Sequence, residues 1–557
     1  MLDNTDGAAA RAESPSAAGS GVDGAMTATL EDPVRAPVRR AVRGAAGRGG
    51  ALVGWILLAL GLVSALGFSL VRWDEVLQDD TYISLIYSRN LARGEGLVYN
   101  PGHEAVEGYT NFGWTVLAAG AMRLGWDPIV FVQVAGLVCA LGVVMVTFLL
   151  ARRIGASAPF AGAAAFLMGI RPALALEAMG GLETCFFALL VGVALLFTLA
   201  ERPRRSTRVG ASVFLALAAL TRPEGVFLFG LLELSHAWLA WRASGTTIAA
   251  WFRVGLERWL PFALIVGAHL AWRYATYDDF VPNTAHAKVS PSPRGWSRGF
   301  GYVFQAISFF GVVFFALPYL LKRQIVGRGA GVLLFVNSVY VFYVFFVGGD
   351  FKLTWRFFVV LFPIWCALAA LSFEVVAARL SQRLAWLGFL LTLGVAQVVW
   401  EVEKRPDNEA WPAFHQQMVA AGKYLGEVLA PDDWIAITNA GCIPYFADVN
   451  TLDMMGLSDK HIARVPIKES AHDKSGHERG DGGYVLDREP EVILFIRAEF
   501  TTLPMDRVPN GRREVERVAV GTSELEIVAD PRFQRDYELV SVELPDSQGF
   551  FNYFRRR

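Results

Sequence analysis

The chain is poor in charge, and this shortage excludes an ordinary soluble protein. Only 18% of its 557 residues are charged, whereas 54% are hydrophobic and the mean hydropathy is +0.38. Soluble domains carry roughly 25% charged residues. The composition therefore predicts a polytopic membrane protein.

The chain also has no excess of positive charge, and its cysteines do not follow a disulfide or metal-binding pattern. Its formal net charge is −1, whereas a nucleic-acid-binding domain needs a basic face, so nucleic acid is not expected as a partner. The four cysteines are far apart, at Cys139, Cys185, Cys366 and Cys442. This spacing predicts neither a disulfide framework nor a CxxC metal site.

Apolar runs that suit membrane crossing recur between residues 51 and 400. We predict about eleven transmembrane helices, in line with the length a span needs. They lie near Ala51–Val71, Ile129–Leu150, Pro159–Leu176, Leu182–Ala200, Val209–Leu220, Gly225–Trp241, Trp259–Tyr274, Phe300–Leu321, Gly331–Val347, Phe357–Ala378 and Ala385–Trp400. Val209–Leu220 is short for a span and is also compatible with a re-entrant segment.

The flanking charges predict the orientation of these spans. Residues 1–50 form a polar, predicted disordered tail that ends in several arginines. The positive-inside rule then predicts a cytoplasmic N-terminus, and an odd number of spans leaves the C-terminus outside. The first apolar run is longer than a signal-peptide core, which favours an uncleaved helix.

The first outer loop, residues 72–128, contains the most suggestive chemistry. Asp79 and Asp80 are adjacent and follow the first apolar run. Neighbouring carboxylates repel each other and are costly to desolvate, so they are typical of a site for a cation, a proton or a substrate hydroxyl. The competing interpretation is that they cap a helix that begins near Thr81. Asn111–Leu124 is predicted to form an amphipathic helix on the outer surface.

Side chains from other predicted outer loops are candidates to complete this site. Arg222, Lys288 and Arg356 are the candidates for binding a phosphate, although an arginine at a helix end often only reaches lipid head groups. Glu183 lies just inside a predicted helix, where a carboxylate needs a partner, and a structural ion pair with a nearby arginine is the competing explanation. The remaining candidates for contact with substrate are Glu107, Tyr109, Asn111, Glu183, Asn283, His286 and Asp350.

The composition changes to that of a soluble domain at residues 401–557, which predicts a small α/β extracytoplasmic domain. Trp411–Leu429 is predicted to be an amphipathic helix, and Trp434–Thr438 and Val492–Ile496 to be buried strands. Glu524–Val528 and Glu538–Glu543 are two later segments of the same domain that are also predicted to be strands. The spacing of His461, His472 and His477 matches no metal signature, which favours a polar loop over a metal site.

Seven motifs in chain order resemble the AftB family of GT-C-type arabinofuranosyltransferases and their bacterial relatives. The resemblance covers Trp73 to Glu478. The motifs are DDTYIS from Asp79, VEGYTNF from Val106, GLET from Gly181, TRPEG from Thr221, Pro282-Asn283-Thr284 with Lys288, GGDF from Gly348 followed by Arg356, and DMMGL from Asp453.

The resemblance implies a GT-C-like membrane domain in a bacterial inner membrane, with Asp79 and Asp80 as the catalytic pair. It further implies a polyprenyl-phosphate sugar as donor, with arabinofuranose as the family's sugar, and Arg356 as a contact of the donor phosphate. The outer domain would help to bind a glycan acceptor. The resemblance establishes no cofactor, and a divalent cation, Mg²⁺ or Mn²⁺, is an option at Asp79 and Asp80.

Two other classes of function stay open. Charges at membrane depth also mark substrate paths in transporters, so a lipid-linked sugar transporter or flippase is one alternative. The clustering of charge on one face and the lack of matching halves in the sequence disfavour it. The other alternative is a non-enzymatic membrane scaffold whose outer domain binds a partner.

Overall fold

The computed structural model describes residues 48–73, 77–242, 247–288, 293–309, 328–350, 355–379, 381–467, 478–497, 499–544 and 549–557. Most of the predicted tail, residues 1–47, lies outside these ranges. Helices form the apolar part of the chain, and a small sheet with short helices forms its C-terminal part. This confirms the predicted fold class, a multi-pass α-helical membrane protein with a small C-terminal α/β domain.

The helices before the C-terminal domain differ widely in length. In chain order they are α1 Arg48–Val71, α2 Asp79–Arg93, α3 Phe112–Arg123, α4 Pro128–Ile154, α5 Ala158–Gly169, α6 Pro172–Met179, α7 Thr184–Thr198, α8 Arg205–Thr221, α9 Glu224–Arg242, α10 Ile248–Tyr277, α11 Asn283–Lys288, α12 Pro293–Phe309, α13 Arg328–Val347, α14 Phe362–Arg379 and α15 Gln382–Val428.

Four of the described helices are long and apolar enough to cross a membrane: α1, α4, α10 and α13. The helices α5 and α6 together make a fifth candidate, bent by 53°. The predicted span Pro159–Leu176 falls on this bent pair, which is either one broken span or a re-entrant loop. The break has a local cause, because Arg171 precedes Pro172 and a residue before proline disfavours helical geometry.

Other predicted spans correspond to shorter helices, so the number eleven stays a prediction. Helix α7 has 15 residues and α8 has 17. The predicted span Phe300–Leu321 begins within α12, and its remainder, from residue 310, lies outside the described residues. The predicted surface helix near Asn111–Leu124 is present as α3 and packs against α2.

Helix α15 joins the membrane part directly to the C-terminal domain. It has 47 residues and contains both the predicted span Ala385–Trp400 and most of the predicted helix Trp411–Leu429. The two segments that the sequence suggested as separate elements are thus one continuous helix. One helix therefore connects the two parts.

The C-terminal domain is built on a mixed six-stranded sheet with the path β2-β1-β3-β6-β4, and β5 pairs with β6. Strands β2 and β3 run parallel to β1, whereas β6 is antiparallel to β3, β4 and β5. In chain order the elements are β1 Trp434–Ile437, α16 Cys442–Ala447, β2 Asn450–Asp453, α17 Gly482–Asp487, β3 Val492–Leu494, β4 Phe500–Thr501, α18 Gly511–Arg517, α19 Thr522–Ala529, α20 Pro531–Asp536, β5 Tyr537–Glu543 and β6 Phe550–Arg556.

The sheet confirms the predicted strands at Trp434–Thr438 and Val492–Ile496, and Glu538–Glu543 lies in β5. Glu524–Val528, in contrast, is helical and belongs to α19. The reason is local, because the Glu524 carboxylate accepts hydrogen bonds from the backbone N–H groups of Val520 and Gly521. These bonds satisfy donors at the start of the helix.

The first outer loop and the C-terminal domain share one hydrophobic core. Buried side chains of α2, including Tyr82 and Ile83, pack in one cluster with Leu425 of α15, Ile435 of β1 and Val492 of β3. Apolar burial contributes about 25 cal/mol per Å². The C-terminal domain, called the outer domain below after its predicted side of the membrane, is therefore packed onto the loop that contains Asp79 and Asp80.

Candidate active site

The start of helix α2 rests on the turn between α6 and α7. Gln78 N and Thr81 Oγ1 both donate to the Gly180 carbonyl, at 3.1 and 2.6 Å. Gly181 has φ +80°, and a Cβ there would lie 2.7 Å from the side chains of Leu77 and Thr81. Only glycine fits both the backbone conformation and the space. The glycines of this turn thus position the two aspartates.

Asp79 and Asp80 lie in the first turn of α2, and the N-cap position belongs to Gln78. The interpretation that an aspartate caps this helix is therefore wrong. Carboxylates in the first turn are still favoured by the positive end of the helix dipole. Both side chains are partly exposed, as a role in binding a substrate requires.

Asp80 faces a buried arginine. Its Oδ2 lies 3.8 Å from Nη1 of Arg356. Arg356 also donates to Oδ2 of Asp350, from Nε at 2.9 Å and from Nη2 at 2.8 Å. The Asp350 side chain is only 5% exposed, whereas that of Asp80 is 31% exposed. Asp350 thus orients the guanidinium group, and Asp80 presents a carboxylate to solvent beside it.

Asp79 contacts the C-terminal domain. Its Oδ1 accepts a hydrogen bond from Cys442 N at 2.7 Å. A Cβ on Gly441 would lie 2.1 Å from the backbone oxygen of Asp79. The loop after β1 therefore packs directly against Asp79. The two adjacent carboxylates therefore differ, because one faces Arg356 and the other is bound to the outer domain.

Arg222 forms ion pairs with two buried carboxylates. Its Nη1 lies 3.1 Å from Glu183 Oε1 and its Nη2 lies 2.9 Å from Glu224 Oε1. Asn111 Nδ2 donates to the second oxygen of Glu183 at 2.9 Å. This is the structural ion pair that was the alternative for Glu183, and a role of Arg222 in binding a phosphate stays a prediction. A phosphate would have to displace a carboxylate from a buried pair, at a cost of several kcal/mol.

Glu107 and Tyr109 are also buried in structural contacts. Arg273 pairs with Glu107, with Nε 2.8 Å from Oε2, and the hydroxyls of Tyr109 and Tyr277 lie 3.1 Å apart. Burial raises the pKa of Glu107 to about 7, and Arg273 offsets only part of this effect. The structure thus gives Glu107, Tyr109 and Asn111 a role in holding the first loop in shape.

The loop around Asn283 joins the membrane part to the outer domain. Asn283 Nδ2 donates to the carbonyls of Gly456, Leu457 and Asp459, at 2.9, 3.0 and 3.1 Å. His286 Nε2 lies 3.0 Å from Asp279 Oδ2. Lys288 is exposed at the end of α11. Asn283 therefore contacts protein, while Lys288 stays a candidate for contact with a ligand.

The described residues contain no group of three or more His, Cys, Asp or Glu side chains that could hold a metal ion. His461 pairs with Asp481 at 2.8 Å, and His472 and His477 lie outside the described residues. A cation at Asp79 and Asp80 would need further oxygen ligands from water or from a donor phosphate. That cation stays a prediction.

Sequence reasoning missed three charged residues of this region. Arg273 and Arg464 pair with Glu107 and Asp279, and Glu499 lies near enough to Asp79 to interact with it electrostatically. Arg273 interrupts an apolar helix, which was a usable signal because charge at membrane depth is costly. Arg464 and Glu499 lie in polar stretches where nothing in the sequence distinguishes them.

Comparison with solved structures identifies the fold. The chain is similar to ArnT from Cupriavidus metallidurans in the apo state, with a TM-score of 0.51 and 15% identity over 72% of this chain and 86% of ArnT. It also matches ArnT bound to undecaprenyl phosphate, with a TM-score of 0.49, 14% identity and coverage of 90% and 98%. The Archaeoglobus fulgidus oligosaccharyltransferase tethered with an acceptor peptide matches with a TM-score of 0.47, 11% identity and coverage of 90% and 74%.

Two further comparisons concern the sequence. Residues 409–553 match a domain of unknown function, DUF8728, which thus covers the end of α15 and nearly all of the outer domain. No curated protein matches this sequence. The likeness to AftB within the GT-C group stays a prediction. The similarity to ArnT concerns the fold, and by that similarity the chain has the GT-C fold of an integral membrane protein.

Proposed function

We propose that this protein is a membrane glycosyltransferase that moves a sugar from a polyprenyl-phosphate donor to a cell-envelope glycan at the outer membrane face. The observation that supports this most is the arrangement of Asp80, Arg356 and Asp350. A partly exposed carboxylate lies beside a guanidinium group that a buried carboxylate orients. The GT-C fold and the resemblance to the AftB family, whose sugar is arabinofuranose, agree with it.

The proposed reaction uses the two charges for opposite tasks. The acceptor hydroxyl oxygen forms a bond to the anomeric carbon, and the bond from that carbon to the phosphate oxygen breaks. The Asp80 carboxylate takes the hydroxyl proton as a general base. Arg356 stabilises the negative charge that develops on the leaving polyprenyl phosphate. Asp79, bound to Cys442 N, holds the outer domain against this loop.

The test is transfer of radiolabelled sugar from a panel of polyprenyl-phosphate sugars by purified protein in detergent. Asp80→Asn is expected to lower the rate about 100-fold or more, because a general base typically contributes 10²–10⁴-fold. Arg356→Lys keeps the positive charge but loses the paired geometry with Asp350, so a smaller loss is expected.

Asp278→Asn is the matched control, because Asp278 is exposed, ends α10 with φ +54°, and asparagine tolerates that conformation. It is expected to leave transfer unchanged. Full activity in Asp80→Asn would rule out the proposed base. No transfer from any donor, with folded protein and added membrane glycans, would favour a transporter or a scaffold.

The transporter alternative has one observation in its favour, the bent pair α5 and α6. Broken helices in transporters form binding sites at membrane depth, usually in corresponding places of two halves. Among the described residues one such pair is found. Counterflow of labelled polyprenyl-phosphate sugar in proteoliposomes would detect this activity, and we expect none.

A further inference from the structure

The outer domain contains a pocket at the edge of its sheet where ligands are usually bound. Strands β2 and β3 flank β1 and both run parallel to it, so the carboxyl ends of all three strands meet at one edge. The chain leaves β1 for β2 on one side and returns to β3 on the other. This reversal is the topological switch point at which open α/β sheets form a binding crevice.

The pocket lies at this edge and has an apolar wall. Its cavity volume is about 100 Å³ and it opens to solvent, so it is small beside the usual range of about 300–1,000 Å³ for small-molecule sites and would take only part of a ligand. Its walls are the residues that follow the three strands and the start of α19, residues 520–523. The lining side chains used below are Thr438, Met454, Met455, Ile496, Arg479 and Arg497.

Two arginines give the pocket its charge. Arg479 donates from Nη1 to the Val465 carbonyl, and its buried Nε has no hydrogen-bond partner among the described residues. The Arg497 side chain is exposed at the rim, where it forms no hydrogen bond or ion pair with the described part of the chain. Guanidinium groups in such a position bind carboxylates or phosphates in a bidentate manner.

The carboxylate of Glu524, which bonds to the lining residues Thr438, Ile496, Val520 and Gly521, already has hydrogen-bond donors. Glu524 accepts from Thr438 Oγ1 and Ile496 N on one oxygen and from Val520 N and Gly521 N on the other. Its charge is thus balanced by hydrogen-bond donors within the domain. The two guanidinium groups are therefore the groups with which a ligand would pair.

We propose that this pocket binds an anionic saccharide, a sugar ring with a carboxylate or phosphate group, as part of the glycan acceptor. The methionines and Ile496 suit the apolar C–H face of a sugar ring, and the arginines suit its anionic group. The proposal rests on the proposed function, because it names the chemical class of that function's acceptor.

The pocket is connected to the candidate active site by one short loop. Thr438 lines the pocket, and four residues later Cys442 N binds Asp79. Gly441 in the same loop packs directly on Asp79. The loop from Thr438 to Cys442 therefore links the pocket to the segment that contains Asp79 and Asp80.

The test measures binding without any donor. Full-length protein in detergent is titrated with a hyaluronan tetrasaccharide, which contains uronate, with neutral chitotetraose and with inorganic phosphate, by microscale thermophoresis. We expect the uronate oligosaccharide to bind best, and more weakly at high salt. Arg497→Gln is expected to weaken binding about tenfold, as for loss of a charge-assisted hydrogen bond.

Arg517→Gln is the matched control, because Arg517 is an exposed arginine of the same domain, with 78% of its side chain accessible. It is expected to bind the tetrasaccharide as wild type does. Asp80→Asn is expected to bind normally and to lack transfer, which separates this proposal from the proposed function. Equal binding of chitotetraose, equal binding of phosphate alone, or no binding of any saccharide would overturn the proposal.

Discussion

Arg222 and Arg356 are both buried arginines near the first outer loop, yet their partners give them different tasks. Arg222 is held by Glu183 and Glu224, at 3.1 and 2.9 Å. Arg356 has one buried partner, Asp350, and its other side faces the partly exposed Asp80. An arginine whose charge is balanced by two buried carboxylates stabilises the fold, whereas the contact of Arg356 with the partly exposed Asp80 is the basis of its proposed role in binding a donor phosphate.

Arg222→Gln is therefore expected to destabilise the protein by about 3–5 kcal/mol, because it leaves buried carboxylates without their counter-ion. Thermal unfolding in detergent measures this loss. The double variant Arg222→Gln with Glu224→Gln is expected to regain part of the stability, since it also removes one of the two buried negative charges. Wild-type stability in the single variant would contradict the structural role of Arg222.

Glu499 is the clearest case of a buried charge without compensation. Its side chain is 1% exposed, and neither carboxylate oxygen has a hydrogen-bond partner among the described residues. Burial, and after it the negative charges of Glu524 and Asp79, raise the pKa of Glu499 well above its usual value. The folded state therefore binds this proton more tightly than the unfolded state does.

A raised carboxyl pKa stabilises the fold at low pH, and that contribution is lost as the pH rises through the pKa of the folded state. Glu499→Gln is therefore expected to raise the melting temperature at pH 8 more than at pH 5, by removing a buried charge worth about 1–3 kcal/mol. Glu543→Gln, at an exposed position of β5, is the control and is expected to have no effect. A lower melting temperature of Glu499→Gln at both pH values would disprove this account.

The turn between α6 and α7 decides where the helix with the two aspartates begins. Gly180 accepts from Gln78 and Thr81, and Gly181 leaves space for Leu77 and Thr81. A side chain at Gly181 would both strain a left-handed backbone and push the start of α2 outward. The position of Asp79 and Asp80 thus depends on a turn distant in sequence.

Gly181→Ala is expected to lower transfer activity at least tenfold, because misplacing a catalytic group by about 1 Å costs up to 100-fold. The matched control is Gly230→Ala in α9, where no atom lies within 4 Å of the added Cβ. That change is expected to be neutral or slightly stabilising, since alanine favours a helix. Comparable activity in the two variants would show that this turn does not position the aspartates.

The sequence-based prediction and the structure differ most at two elements, the pair α5–α6 and the helix α15. The run Pro159–Leu176 is apolar apart from Arg171, and it breaks where Arg171 precedes Pro172, which average hydropathy does not report. In α15 a change of composition near residue 401 suggested a boundary, but a helix continues through it. Composition indicates whether a segment lies in lipid or in water, whereas backbone hydrogen bonds decide whether the segment is helical.

The membrane part and the outer domain are joined by contacts from several elements. Besides α15 and the shared core, Arg89 of α2 pairs with Asp448 at 2.6 Å, and Asn283 bonds three carbonyls of the outer domain. Arg464 Nη1 donates to Asn283 Oδ1 at 2.7 Å. These contacts hold the outer domain over the first loop.

Asn283→Ala is expected to loosen this junction, because it leaves buried carbonyls without a donor at a cost of about 1–3 kcal/mol. Faster amide exchange in residues 453–464 would show the effect. Asn450→Ala is the control, since Asn450 bonds Asp432 within the outer domain, and it should not change exchange in that segment. Unchanged exchange in Asn283→Ala would mean that other contacts suffice.

Composition was enough to predict the membrane class and the C-terminal α/β domain, because hydropathy is a local property of a chain. The catalytic role of Asp79 and Asp80 stays a prediction. The pairing of charges was not predictable in the same way. Arg222 and Arg356 were both candidates for binding a phosphate, and only packing shows that one meets Glu183 and Glu224 and the other meets Asp80. Ion pairs join residues far apart in the chain, so their partners are decided by the folded structure.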